Sequence, residues 1–247
     1  EGGMIGWAID YLNQGLILAC NSPEATSDFQ KLAAISGADP ENVVYLPNYY
    51  PSTTRKFSIL KILFWKLLRF FGFNGKLPKP RTEGSINIGC FGAIRPLKNH
   101  IHQAVAAIIL ANKLGLKLNF WINGNRVEGK AESILTALRQ LFKRYPQHTL
   151  VELTWMKHDS FTTLIGDMDL VMQVSNSETF NIVSADAVAS GVPVVVSDEV
   201  PWLNEEYHAD PNSIRDIFRT THRVWAGSGN GMLQADQLLQ LNDYGNE

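Results

Sequence analysis

Cysteine is nearly absent. The 247 residues contain two, Cys20 and Cys90, inside the apolar runs LILAC and INIGCF. Thiols so placed are expected to be buried and unpaired, behaving as small hydrophobes rather than as a disulfide framework. A reducing, cytoplasmic compartment follows as the expectation. An excess of one charge is also missing: 22 basic residues meet 24 acidic ones, for a net charge of −2. The chain as a whole is therefore not built to hold a nucleic-acid backbone, and any basic site must be local. No uninterrupted apolar run is long enough to span a bilayer, and no signal peptide opens the sequence. The six histidines show no ligand spacing, so nothing in the pattern suggests zinc. Internal repeats and low-complexity tracts are absent too.

What is present is ordinary globular material, 45% hydrophobic and 19% charged, able to bury a real core. From Ile86 onward short β-rich runs alternate with helical patterns, which is the signature of a doubly wound α/β domain with a parallel sheet. The expected strands are 86–91, 117–123, 149–155, 168–174 and 192–197, nearly continuous in apolar residues because both faces of such a sheet are covered. Helices are expected near 99–114, 131–144, 159–166 and 180–190, with Gly115 and Gly191 just past two of them, and two further helices lie toward the end of the chain. Before Ile86, LILAC, the helix of SDFQKLAAISG and NVVYLPN form a single βαβ unit, whose sheet partners must lie elsewhere. The opening EGGMIGWAIDYLNQG reads as a loop and helix in mid-architecture, as in a fragment of a longer protein. The expected organisation is thus a βαβ fragment over 1–54, a basic insert over 55–84 and a Rossmann-like domain over 85–247.

Two constellations carry chemistry. The turn GCFGAIRPLKNH follows the strand at 86–91 and opens a helix. Its glycines let backbone N–H groups approach an anion, the helix start adds positive partial charge, and Arg95 and Lys98 supply two cations. A diphosphate needs such a cradle. A dinucleotide site fits worse, because the turn is G-x-x-G and the next strand ends in Asn123-Gly124-Asn125-Arg126, with no carboxylate for a ribose. The second constellation is SNSETFNIVSADAVASGVPVVVS, with Glu178 in a loop and Asp186 eight positions on, within a helix. Paired carboxylates at such a separation suit vicinal hydroxyls. The backbone N–H groups of Thr179, Phe180 and Asn181 can meet phosphate oxygens. Asp167 and Asp169 spell a D-x-D, but their place at the entry to an apolar strand explains them without a metal.

The second constellation resembles the E-x7-E signature of retaining glycosyltransferases of the two-domain GT-B fold, above all family 4. The matching residues are Glu178 and Asp186, followed by Ala187, Ala189, Gly191, Pro193 and Val194. Upstream, Gly92, Arg95 and Lys98 look like that family's diphosphate clamp, and ACNSPEATSDFQKL with VVYLPN looks like the end of its N-terminal acceptor domain. Two departures stand out: the second acid is Asp, which shortens its reach, and Arg95 and Lys98 are unusually close together. The resemblance implies that Arg95 and Lys98 hold the diphosphate of a nucleotide-sugar donor, that Glu178 binds the transferred sugar and that Asp186 binds the ribose. The loop of Trp155, Met156, Lys157 and His158 would receive the base. It also implies hexosyl transfer to a glycan or lipid acceptor without a cofactor or metal, with this chain supplying mainly the donor-binding half. The rival readings are a nucleotide-sugar epimerase of the same fold and a non-catalytic nucleotide-sugar-binding module.

Between Thr54 and Arg81 there are eight basic residues and no acidic one. On a helical wheel Lys61, Lys66 and Arg69 share one arc, while Leu60, Leu63, Phe64, Leu67, Phe70 and Phe71 take the other. Residues 55–73 are therefore expected either to lie on an anionic membrane surface, at the inner face, or to pack on protein.

Overall fold

The computed structural model describes residues 2–48, 50, 64, 67 and 78–245. The chain divides into two compact units, Glu1–Pro51 with Gly245–Glu247, and Ser52–Tyr244. Most of the basic segment lies outside the described residues; within 55–73 the two described positions, Phe64 and Leu67, are helical and exposed.

In the smaller unit helix α1 (Gly2–Asn13) leads to strand β1 (Leu18–Cys20), helix α2 (Pro23–Ser36) and strand β2 (Val43–Tyr45). The two strands pair in parallel, Ala19 opposite Val44. Helix α2 starts where it does because the Ser22 hydroxyl accepts the Ala25 N–H and Pro23 fills the first turn. It ends at Gly37, whose φ of 81° only glycine adopts without penalty. Leu12, Cys20, Ala33, Ala38 and Val43 form a small core. The expected strand 16–20 is shorter than its apolar run because Leu16 and Ile17 are exposed.

The larger unit is a five-stranded parallel sheet in the order β5-β4-β3-β6-β7. The strands are β3 (Ser85–Gly89), β4 (Lys117–Ile122), β5 (Thr149–Glu152), β6 (Leu170–Gln173) and β7 (Val194–Val196). Between them run α3 (His100–Leu114), α4 (Glu132–Arg144), α5 (His158–Gly166) and α6 (Ile182–Ala189), and α7 (Ile214–Gly227) and α8 (Met232–Tyr244) follow. The α/β class and the parallel sheet agree with the sequence pattern. Every residue of β3, β6 and β7 is buried, whereas the edge strand β5 is half-buried throughout. Helix α4 shows why such segments fold as they do. Leu135, Leu138 and Phe142 face the sheet at helical spacing, with Glu132 in the first turn and Lys143 and Arg144 in the last, complementing the helix dipole. Gly115 and Gly191 have left-handed φ values of 67° and 76° at the ends of α3 and α6. At the far edge Gln237 of α8 donates to the Val194 carbonyl and accepts the Val194 N–H, closing β7.

The D-x-D acids do not share a site. Asp167 is the exposed residue at the end of α5, while Asp169 is 8% exposed and accepts the N–H groups of Arg81 and Asn87, each at 2.7 Å. Among the described residues no three His, Cys, Asp or Glu side chains are grouped so as to hold a metal ion. Among those residues no helix is long and apolar enough to cross a membrane. Both cysteines are free and buried, and burial pushes the Cys90 thiol up to about 12.

Candidate active site

Strand order places the site. The chain runs outward from β3 through β4 to β5, then returns to lay β6 and β7 on the other side, so the loops after β3 and β6 part at a switch point. Crevices at such points, at the carboxyl ends of parallel strands, are where ligands bind in open α/β sheets. Here a cleft of about 540 Å³ opens. Its wall is built from Gly92 after β3, Asn123, Asn125 and Arg126 after β4, Leu153 to Met156 and His158 after β5, Phe161 of α5, and Ile182, Val183 and Asp186 of α6.

The turn after β3 is held tightly. Gly92 has a φ of 103°, which a side-chain-bearing residue rarely adopts, and its N–H donates to the Asn123 side chain at 2.7 Å. Lys98 folds back over it: a Cβ added at Gly92 would lie 4.0 Å from the Lys98 ammonium. Lys98 lies in a 3-10 turn, Pro96–Lys98, and its Nζ contacts Glu178 Oε1, which also accepts from the Ser175 hydroxyl at 3.4 Å. Both side chains are largely buried, at 19% and 10% exposure. Burial pulls the Lys98 ammonium down to about 8; Arg95 and Arg126 act the same way and Cys90 opposes them. Contact with the Glu178 carboxylate favours the charged form. Next to it His100, 1% exposed with no partner on either ring nitrogen, is pushed down to about 4 by burial and by Lys98, so it stays neutral at pH 7.

Arg95 goes elsewhere. The backbones of Ile94 and Val127 form a bridge, which brings Glu128 beside Arg95. Glu128 accepts from Arg95 Nε and from Arg126 Nε, each at 2.7 Å, and both guanidinium groups remain well exposed. The two predicted clamp cations are therefore near in sequence but differ in setting, one buried against an acid and one at the surface.

Asp186 lines the cleft from α6, and its carboxylate is 2% exposed. His158 Nε2 reaches both of its oxygens, at 3.2 and 3.1 Å. Trp155 is 82% exposed, Met156 is half-buried, and Lys157 is exposed at the start of α5, outside the cleft wall. Helix α6 begins at Ile182, later than the expected 180. Asn181, with a left-handed φ of 55°, caps the helix by accepting the Ser184 N–H, so its side chain is already engaged. The Phe180 ring is buried between Trp202 and Tyr244 and its carbonyl accepts from the Trp202 indole, so its side chain does not reach the cleft. Thr179 is half-buried beside it.

Four positioning side chains escaped the sequence reading. Gln103, fully buried, donates to the Lys98 carbonyl at 2.8 Å and accepts the Val174 N–H at 2.9 Å. Asn99 donates to the Val174 and Pro211 carbonyls, and the Asn176 N–H donates to the Leu97 carbonyl. Gln173 donates to the Phe91 carbonyl and accepts from Asn181. Asn123 holds Gly92. A signal existed for the glutamines: a polar residue inside an apolar strand or a sheet-facing helix stripe needs a dedicated partner.

If a diphosphate is held through the Lys98 ammonium, its binding must weaken as that ammonium loses its proton. Affinity for UDP, GDP or ADP should stay flat below pH 8 and then fall by up to about tenfold per pH unit. Lys98→Arg should flatten the profile, as titration calorimetry between pH 7 and 9.5 will show.

A profile of the family described as family 4 glycosyltransferase in conflict systems matches residues 67–201, more than half of the chain. No curated relative matches by sequence. Among solved structures, Anabaena HepE in complex with UDP and glucose is similar with a TM-score of 0.65 and 16% identity, covering 98% of this chain and 64% of its own. The UDP-forming trehalose-phosphate synthase of Burkholderia xenovorans is similar with a TM-score of 0.64 and 12% identity, covering 92% of this chain and 58% of its own. The chain thus spans somewhat under two thirds of the length of these proteins, and identities so low speak to the fold alone. Taken with the fold and the acid pair after β6, the family match settles the affiliation: this chain belongs to the family 4 glycosyltransferases of conflict systems, with their GT-B type α/β fold.

Proposed function

We propose that the chain binds the nucleoside-diphosphate sugar donor for retaining hexosyl transfer and supplies mainly the donor half of the enzyme. The observation that carries this reading is the contact of Lys98 with Glu178 at the switch point beside the cleft. Here a cation suited to a departing diphosphate meets a carboxylate suited to sugar hydroxyls. In this reading Lys98 stabilises charge developing on the leaving diphosphate, with Arg95 giving longer-range support, and the protein's own cations do this work without a metal. Glu178 orients the transferred sugar, Asp186 serves the ribose side, and the Trp155–Lys157 loop takes the base. The Gly92 turn lets the phosphates approach the backbone, and the N–H groups of Thr179, Phe180 and Asn181 lie on the sugar-phosphate side. The acceptor is a glycan or a lipid.

Titration calorimetry with UDP, GDP and ADP tests the reading, and binding of none of them would end it. Arg95→Ala should weaken binding by only about 1 kcal/mol, because its guanidinium is exposed and already paired. Glu178→Gln should not weaken binding of the free nucleoside diphosphate, because it removes a carboxylate that competes with phosphate for Lys98. In sugar transfer the same change should lower turnover roughly 10- to 100-fold, the scale of one charged hydrogen bond gained in the transition state. Weaker diphosphate binding by Glu178→Gln would place this acid on the phosphate side instead. Product analysis separates the rival classes, since an epimerase would return altered nucleotide sugar and a binding module no product.

A further inference from the structure

The second acid of the pair lines the cleft from beneath a more exposed partner. The Asp186 side chain is 2% exposed, whereas His158, which shares both its oxygens through Nε2, is 65% exposed on the same cleft. We infer that His158, rather than Asp186, is the group that contacts the nucleoside's ribose, and that Asp186 is a positioning residue acting through it. This rests on the donor-binding reading above and names one contact within it.

The chemistry follows from the geometry. A carboxylate accepting at Nε2 keeps the imidazole proton on that nitrogen and fixes the plane of the ring. In the neutral ring the other nitrogen, Nδ1, carries a lone pair and accepts a hydrogen bond, the same service to a ribose hydroxyl that a carboxylate oxygen would give. His158 begins α5, which packs along α6, so the dyad bridges two helices whose starts both face the cleft. A side chain one methylene shorter than Glu can stay buried because the imidazole extends its reach. The motif spacing shows only the acid, since its partner begins a helix 28 residues away in the chain.

The test compares ribose hydroxyls rather than overall affinity. Whichever of UDP, GDP and ADP binds best to the whole chain is titrated beside its 2′-deoxy and 3′-deoxy counterparts. The wild type is expected to prefer the ribonucleotide over at least one of them by about 10-fold, the scale of one buried hydrogen bond. His158→Ala should erase that preference, and Asp186→Ala should reduce it. Adding Asp186→Ala to His158→Ala should change the ratio no further, while Asp186→Asn, which keeps an acceptor for Nε2, should restore most of it. Because each readout is a ratio measured within one variant, a general loss of stability does not move it. Preference that survives His158→Ala but vanishes in Asp186→Ala would overturn the inference in favour of the carboxylate. Tight binding with no hydroxyl preference in the wild type would overturn it too, and would leave the donor-binding reading standing. Failure of all three nucleotides to bind would remove that reading and this inference together.

Discussion

Lys98→Ala should lower stability by about 3 kcal/mol and abolish measurable nucleoside-diphosphate binding, a larger loss than a surface lysine could cause. The reason is the Glu178 carboxylate, 10% exposed, which loses the cation that compensates its burial. Leaving one member of a buried pair uncompensated costs more than the pair itself contributes. Urea denaturation reads the first effect and calorimetry the second. The double change Lys98→Met with Glu178→Gln separates them: with neither charge present, most of the stability should return while binding stays lost. Binding by Lys98→Ala within threefold of wild type would remove Lys98 from the donor site. A stability loss below about 1 kcal/mol would put the pair among surface ion pairs.

Asp169→Ala is expected to destabilise the larger unit by about 2–5 kcal/mol, since two backbone N–H groups each lose a buried acceptor. Those groups belong to Arg81 and to Asn87, the latter within β3. Asp169→Asn keeps one acceptor oxygen and should lose about half as much. An unchanged urea m-value would show that the native state stays compact. Equal stability of wild type and Asp169→Ala would mean that water replaces the carboxylate. Nothing in this prediction touches donor binding, because none of Arg81, Asn87 and Asp169 lines the cleft, which opens at the carboxyl ends of the strands.

Asp169 also illustrates what the sequence could convey. Its position at the entry to an apolar strand was legible, and so was its structural role, though not the two amides that give it that role. The alternation of apolar runs and amphipathic stretches was enough to place all five strands of the larger sheet and the helices around them. Strand ends were read too long where apolar residues continue into the loops, as at Cys90–Phe91 and Leu153, because burial outlasts regular pairing there. The candidate site residues stood out in the sequence one at a time and not as partners. Lys98 meets Glu178, 80 positions away, only because β3 and β6 are neighbours in the sheet, a fact of lateral order that no local pattern encodes. Arg95 and Lys98 looked alike in the sequence, yet a bridge between the loops after β3 and β4 turns Arg95 to Glu128. Phe180 read as part of a phosphate-binding helix start, while its ring belongs to an aromatic stack with Trp202 and Tyr244.

The buried amide of Gln103 has a consequence for how the two ends of a donor communicate. It grips the Lys98 carbonyl with one end and the Val174 N–H with the other, and Asn99 and Asn176 fasten the same two loops alongside. The loop that carries Lys98 and the loop that carries Glu178 are therefore tied to each other by several hydrogen bonds. On the proposed reading, a phosphate held at Lys98 would bear on Glu178, and a sugar seated at Glu178 would bear on the grip of Lys98. Such coupling is reciprocal by thermodynamic necessity. The leaving group and the sugar it departs from should thus tighten or loosen each other's hold through a glutamine that touches neither.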